Sequence, residues 1–101
     1  MTVGEIKNFL KGSGTGFYYS GGTIEQLGNN IEIKNDNQEI LSDNFNITIG
    51  LNDYIPAVYD TYFTQTPTFL PYTTAEAIIN YLENNSSPIN FTNYNNYFKF
   101  E

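Results

Sequence analysis

Cysteine, histidine, arginine and tryptophan are all missing from this chain. Without cysteine or histidine there is no Cys–His nucleophile, no Ser–His–Asp triad and no zinc site built on thiolate or imidazole. The lack of cysteine leaves the redox compartment open, although a cysteine-free chain tolerates an oxidising space. Without arginine there is no planar fork to grip a phosphate, which argues against a self-sufficient phosphate site. The four cations are all lysines, Lys7, Lys11, Lys34 and Lys99, and they face eleven acids. A net charge of −7 and a pI near 4.2 argue against nucleic acid as a partner, because such binding rests on cations that neutralise phosphates. No apolar run approaches membrane-spanning length, and no secretory signal opens the sequence.

What is present is a folding composition. Of the 101 residues, 40% are hydrophobic and 17% aromatic, all of the latter Tyr or Phe. That length predicts one domain with a modest core. Tyrosine joins an apolar ring to a polar tip, so a Tyr-rich chain suits wet, half-buried surfaces. Met1 leads almost at once into a helix pattern, as expected of a piece of a longer polypeptide.

Local signals divide the chain. Thr2 is an N-cap candidate with Glu5 at capping-box spacing, and Val3, Ile6, Phe9 and Leu10 share one helical face. Gly12-Ser13-Gly14 ends that helix. Phe17-Tyr18-Tyr19 reads as a short aromatic strand and Gly28-Asn29-Asn30 as a turn. Ile31 and Ile33 alternate as a strand, with Asn35-Asp36-Asn37 as a hairpin tip and Glu39-Ile40-Leu41 as its return. Phe45, Ile47, Ile49 and Leu51 alternate with polar or small residues and predict a half-buried strand. Pro56, Pro67 and Pro71 break up residues 52–72, though a short helix from Ile55 to Tyr62 is compatible with Pro in its first turn. Thr73 or Thr74 can cap a second main helix with Ala75, Ile78, Ile79 and Leu82 as its apolar stripe. The last stretch, Ile89 to Phe100, alternates imperfectly and is expected to be extended. Strands with two principal helices predict an α+β domain built on a small mixed sheet.

The candidate site follows the strand expected at 45–51. A strand that runs straight into an aromatic, an acid and a proline delivers those groups to the rim of a sheet. Tyr54 is either a stacking platform for a flat ligand or a rim aromatic packed on the final helix. Asp60, six residues on, either accepts hydrogen bonds from a ligand or caps the following turn. Asn52-Asp53 reads as turn chemistry, and Asp53 could hold the loop backbone and so support Tyr54. The acids Glu32, Asp36, Glu39, Asp43 and Asp53 match no calcium-loop spacing and read as a solvated face. No pair of carboxylates stands out for glycosidase work.

Taken in order, these segments resemble the C-terminal domain of bacterial 5′-nucleotidases and UDP-sugar hydrolases. Residues 1–10 are similar to that family's "M-T-G-x-x-[LIV]" helix start, and 30–39 to its strand–turn–strand hairpin. Residues 47–62 resemble its hydrophobic strand followed by "N-D-[FY]" and "G-G-D-G-[FY]". Residues 73–82 with Ser87-Pro88-Ile89 resemble its last helix and trailing strand. The resemblance spans nearly the whole chain. It implies a recognition domain, not catalytic alone and with no cofactor of its own. A separate metallophosphoesterase domain, as partner in the same or another chain, would hold a divalent metal pair. It further implies a nucleoside or sugar-nucleotide ligand and a periplasmic, cell-surface or secreted location. By residue-wise matching, Tyr54 falls on one of two aromatics that sandwich the base, and Asp60 on the motif's acid. The second aromatic and the phosphate-contacting arginines belong to family segments that precede the Met1 helix. Val58-Tyr59 stand where the family has two glycines and Thr61 where it has a third, so the loop takes another path and Tyr59 enters ligand space.

Two other readings stand beside this one. An interaction domain that has lost ligand binding would use its Tyr-rich surface for docking. An extracellular carbohydrate-binding module would use Phe17-Tyr18-Tyr19, or Asn93-Tyr94-Asn95-Asn96-Tyr97, as stacking patches.

Overall fold

The computed structural model describes residues 1–14, 16–85 and 96–101. The chain falls into two compact units, one formed by residues 1–64 with 96–101 and the other by residues 65–95. The described architecture is α+β, with three α-helices and two separate two-stranded antiparallel sheets where the sequence suggested one mixed sheet.

In the first unit, helix α1 spans Val3–Gly12. Its start is a complete capping box: the Thr2 hydroxyl accepts from the Glu5 N–H at 3.2 Å, and Thr2 N–H donates to the Glu5 carboxylate at 3.0 Å. Val3, Phe9 and Leu10 are buried, and Ile6 packs against them, as the helical spacing requires.

Strand β1 is Phe17–Tyr18, β2 is Thr23–Leu27 and β3 is Asn30–Lys34. The hairpin β2–β3 pairs Thr23 with Lys34 through to Leu27 with Asn30, leaving Gly28-Asn29 as a two-residue loop. Gly28 has φ +63°, and a glycine in the left-handed region at the first loop position suits the turn that matches strand twist. Ile31 (2% exposed) and Ile33 carry the buried face of β3. The predicted pairing of 31–34 with 39–41 is reduced to a single bridge, Lys34 with Ile40, flanked by bonds from Leu41 N–H to the Ile33 carbonyl at 2.9 Å and from Asn35 N–H to the Glu39 carbonyl at 3.0 Å. Its tip is tied by the Asn35 side chain, which accepts from Asn37 N–H and Glu39 N–H. The better partner of β3 is β2, joined by the tighter turn.

The strand expected at 45–51 is not formed. Only Asn46 makes a bridge, to Thr2, and residues 48–51 find no neighbouring strand among the described residues. Alternation supplies the side-chain pattern of a strand, but the hydrogen bonds need a second backbone. Helix α2 spans Tyr54–Val58 and is followed by a 3₁₀ turn, Asp60–Tyr62, so the single helix expected from Ile55 to Tyr62 is broken at Tyr59. Strand β4, Tyr97–Phe98, pairs antiparallel with β1. Phe98 turns into the core, while the Tyr97 ring lies tilted against the exposed Tyr18 ring, their centroids 5.0 Å apart.

The second unit, described over residues 65–85, holds helix α3, Thr74–Asn84. Thr73 is its N-cap and accepts from Glu76 N–H at 3.1 Å. None of its residues is buried, and Ile78, Ile79 and Leu82 are each about half exposed. The extended stretch expected from Ile89 falls outside the described residues up to Asn95, including most of the proposed Asn93–Tyr97 patch.

Candidate functional site

Residues 52–63 begin with a side-chain hydrogen bond at Asn52. The Asn52 side-chain oxygen accepts from Ile55 N–H at 3.2 Å, which starts α2. Asp53, the expected holder of the loop, makes no side-chain cap; its carbonyl accepts from Ala57 N–H instead. Asp53 already has helical φ/ψ (−68°, −18°), which takes its side chain out of the extended geometry that a capping side chain uses.

Tyr54 opens α2 and is 65% exposed. Its ring is therefore presented to solvent and not sealed in a core. Asp60 opens the 3₁₀ turn and is exposed, and no side chain caps that turn. α2 and the 3₁₀ turn follow one another in the chain, separated only by Tyr59. Tyr59 differs from Tyr54 and Asp60. It is half-buried, with its ring edge-on to Phe9 at 5.4 Å and to Phe17 at 6.0 Å. Phe9 is also met by Phe63 at 4.9 Å and Tyr62 at 5.8 Å. Where glycines would leave the loop light, Tyr59 thus fastens it to α1 through an aromatic cluster.

A separate feature of the same unit is an apolar hollow of about 580 Å³. Phe17, Ile24, Ile47, Ile49, Leu51 and Ile55 are among its walls. Asp53, Tyr54, Tyr59 and Asp60 are not. Tyr54 and Asp60 are thus both exposed and both outside the hollow, whose walls include Ile47, Ile49 and Leu51, read from sequence as strand-formers, and Ile55, read as helical. The signal for the hollow was the alternation of Ile47, Ile49 and Leu51, a pattern that strand pairing alone would also explain.

No family model matches the chain, and no curated protein or solved structure matches it either. The site must be judged on its own chemistry. Among the described residues no cluster of three or more acids could hold a metal ion. Among them also, no helix is long and apolar enough to cross a membrane. What residues 52–63 offer is one exposed aromatic ring, Tyr54, and one exposed carboxylate, Asp60, groups able to stack and to accept hydrogen bonds.

Proposed function

We propose that this chain is a non-catalytic recognition domain of the kind found at the C-terminus of 5′-nucleotidases and UDP-sugar hydrolases. In this reading Tyr54 stacks on the base of a nucleoside or sugar-nucleotide, and Asp60 accepts hydrogen bonds from its polar edge. A metallophosphoesterase domain, in the same or another polypeptide, performs the hydrolysis, in the periplasm or at the cell surface. The observation that carries the reading is the exposure of the Tyr54 ring on a helix start held by Asn52. The accompanying support is the match of residues 47–62 to the family's motif order.

One ring gives roughly 1–3 kcal/mol of stacking. The lone chain, lacking arginine for the phosphates, should therefore bind adenosine and UDP-glucose only weakly, in the high micromolar range or above. Titration followed by amide NMR tests this. Shifts centred on Tyr54 and Asp60 that vanish in Tyr54→Ala support the proposal; unchanged spectra at millimolar ligand, or tight binding insensitive to Tyr54→Ala, refute it.

A docking domain that has given up ligand binding is the second reading. The packing of Tyr59 against Phe9 and Phe17 favours it, since a bulky side chain replaces the family's flexible glycines. It requires that Tyr54→Ala leave any nucleoside response as it was.

A further inference from the structure

We infer that Phe9 and Gly12, on the last turns of α1, are positioning residues for Asp60: through Tyr62 they hold the turn that carries it. The inference rests on the reading of Asp60 as a hydrogen-bond acceptor for the ligand, and names what fixes its place. Gly12 is the last residue of α1. Glycine is less favourable in a helix than alanine, so its presence there calls for a reason. Ending the helix is not that reason. The left-handed step belongs to Gly14, with φ +69°, and Gly12 has no positive φ. The reason is space. A Cβ on Gly12 would overlap the Tyr62 hydroxyl and lie 2.7 Å from Cζ of the same ring. The Tyr62 ring thus lies directly against the helix backbone.

Phe9 is three residues before Gly12, on the same face of α1. Its ring is met by Tyr59 at 5.4 Å, Tyr62 at 5.8 Å and Phe63 at 4.9 Å. These three residues are half-buried, while Asp60 and Thr61 between them are exposed. The turn is closed by two main-chain bonds, Tyr62 N–H to the Tyr59 carbonyl at 3.0 Å and Phe63 N–H to the Asp60 carbonyl at 3.2 Å. Asp60 therefore stands on a short arch with both feet fastened to α1. An acceptor whose backbone is already set loses less freedom when a ligand arrives. If the contact served the core alone, Gly12 would govern stability and leave the contribution of Asp60 to binding untouched.

The test is Gly12→Ala in the full chain labelled with ¹⁵N, first without ligand and then with adenosine. Without ligand, the backbone order parameters of Asp60 and Thr61 should fall from about 0.85 to below about 0.6. Continued exchange protection of Ile31 and Ile33 shows that the variant is folded, and Tyr62→Ala serves if it is not. Adding Tyr62→Phe to Gly12→Ala removes the overlapping hydroxyl and should restore part of the lost order. With adenosine, Asp60→Ala should weaken binding about fivefold in the native chain, as loss of one hydrogen bond would. In the Gly12→Ala background it should weaken binding no further. Unchanged order at Asp60 and Thr61 overturns the inference, and so does a full effect of Asp60→Ala in that background. A native chain without any adenosine response sinks the recognition reading, and the inference with it; a response in which Asp60 still counts after Gly12→Ala sinks the inference alone.

Discussion

Tyr54 and Tyr59 are five positions apart and do opposite things. Tyr54 leaves its ring in water, and Tyr59 spends its ring on Phe9 and Phe17. Tyr59→Ala should cost about 2 kcal/mol, less than the roughly 3–5 kcal/mol of a fully buried aromatic. Tyr54→Ala should leave the midpoint of denaturant unfolding nearly unchanged. Equal losses in the two variants would mean that Tyr54 is structural. Glu5 is the other residue with a defined task. Hydrogen bonds from the Thr2 backbone and then the Thr2 side chain hold its carboxyl below the usual glutamate range, against a small opposing effect of burial. A carboxyl whose pKa is depressed by folding stabilises the fold above its unfolded pKa. That contribution is lost as pH falls through the lower, folded value. NMR titration of Glu5 should show this low value, and Thr2→Val should raise it while costing about 1 kcal/mol through the missing cap.

Among the elements, the β2–β3 hairpin is the most specified. Ile31→Ala should cost about 2–5 kcal/mol, because a buried isoleucine leaves a cavity that its surroundings only partly refill. Gly22, which leads into β2, has φ +76°, and a Cβ there would press on the Lys34 carbonyl. Gly22→Ala should therefore destabilise the hairpin, in contrast to the gain that alanine brings at an unstrained site. Helix α3 is capped and amphipathic but buries no residue. Its amides should exchange far faster than those of Ile31 and Ile33 in native-state hydrogen exchange. Comparable protection would mean that its apolar stripe is covered in solution. Legibility followed the range of the interactions. The α1 capping box could be read directly and the α3 cap down to Thr73 or Thr74, since each closes within four residues; the structure selects Thr73. β2 was not read as a strand: Ile24 and Leu27 fall on opposite parities, so its alternation is broken and only its partner β3 defines it. At 45–51 the reverse holds, with a clean alternation and no strand beyond one bridge.

For the molecule as a whole, charge is the dominant bulk property. Seven excess negative charges repel one another in the folded state, and only two lysine–acid pairs, Lys7–Asp43 at 2.6 Å and Lys34–Glu25 at 3.2 Å, offset them among the described residues. Added sodium chloride should raise the thermal midpoint as it screens that repulsion. A fall with salt would show that the two pairs outweigh the repulsion. The residue order alone was sufficient for the class of the fold, the helix starts, the turn at Gly28 and the exclusion of thiol, imidazole and guanidinium chemistry. All of these follow from composition or from contacts a few residues long. Which aromatics face water, which strand β3 pairs with and where the apolar hollow opens came from contacts between distant segments. Groups 46 or 75 positions apart, such as the Met1 amine with the Ile47 carbonyl and the Gln26 side chain with the Glu101 carbonyl, meet only once the backbone has folded, and their hydrogen bonds leave no local periodicity in the sequence.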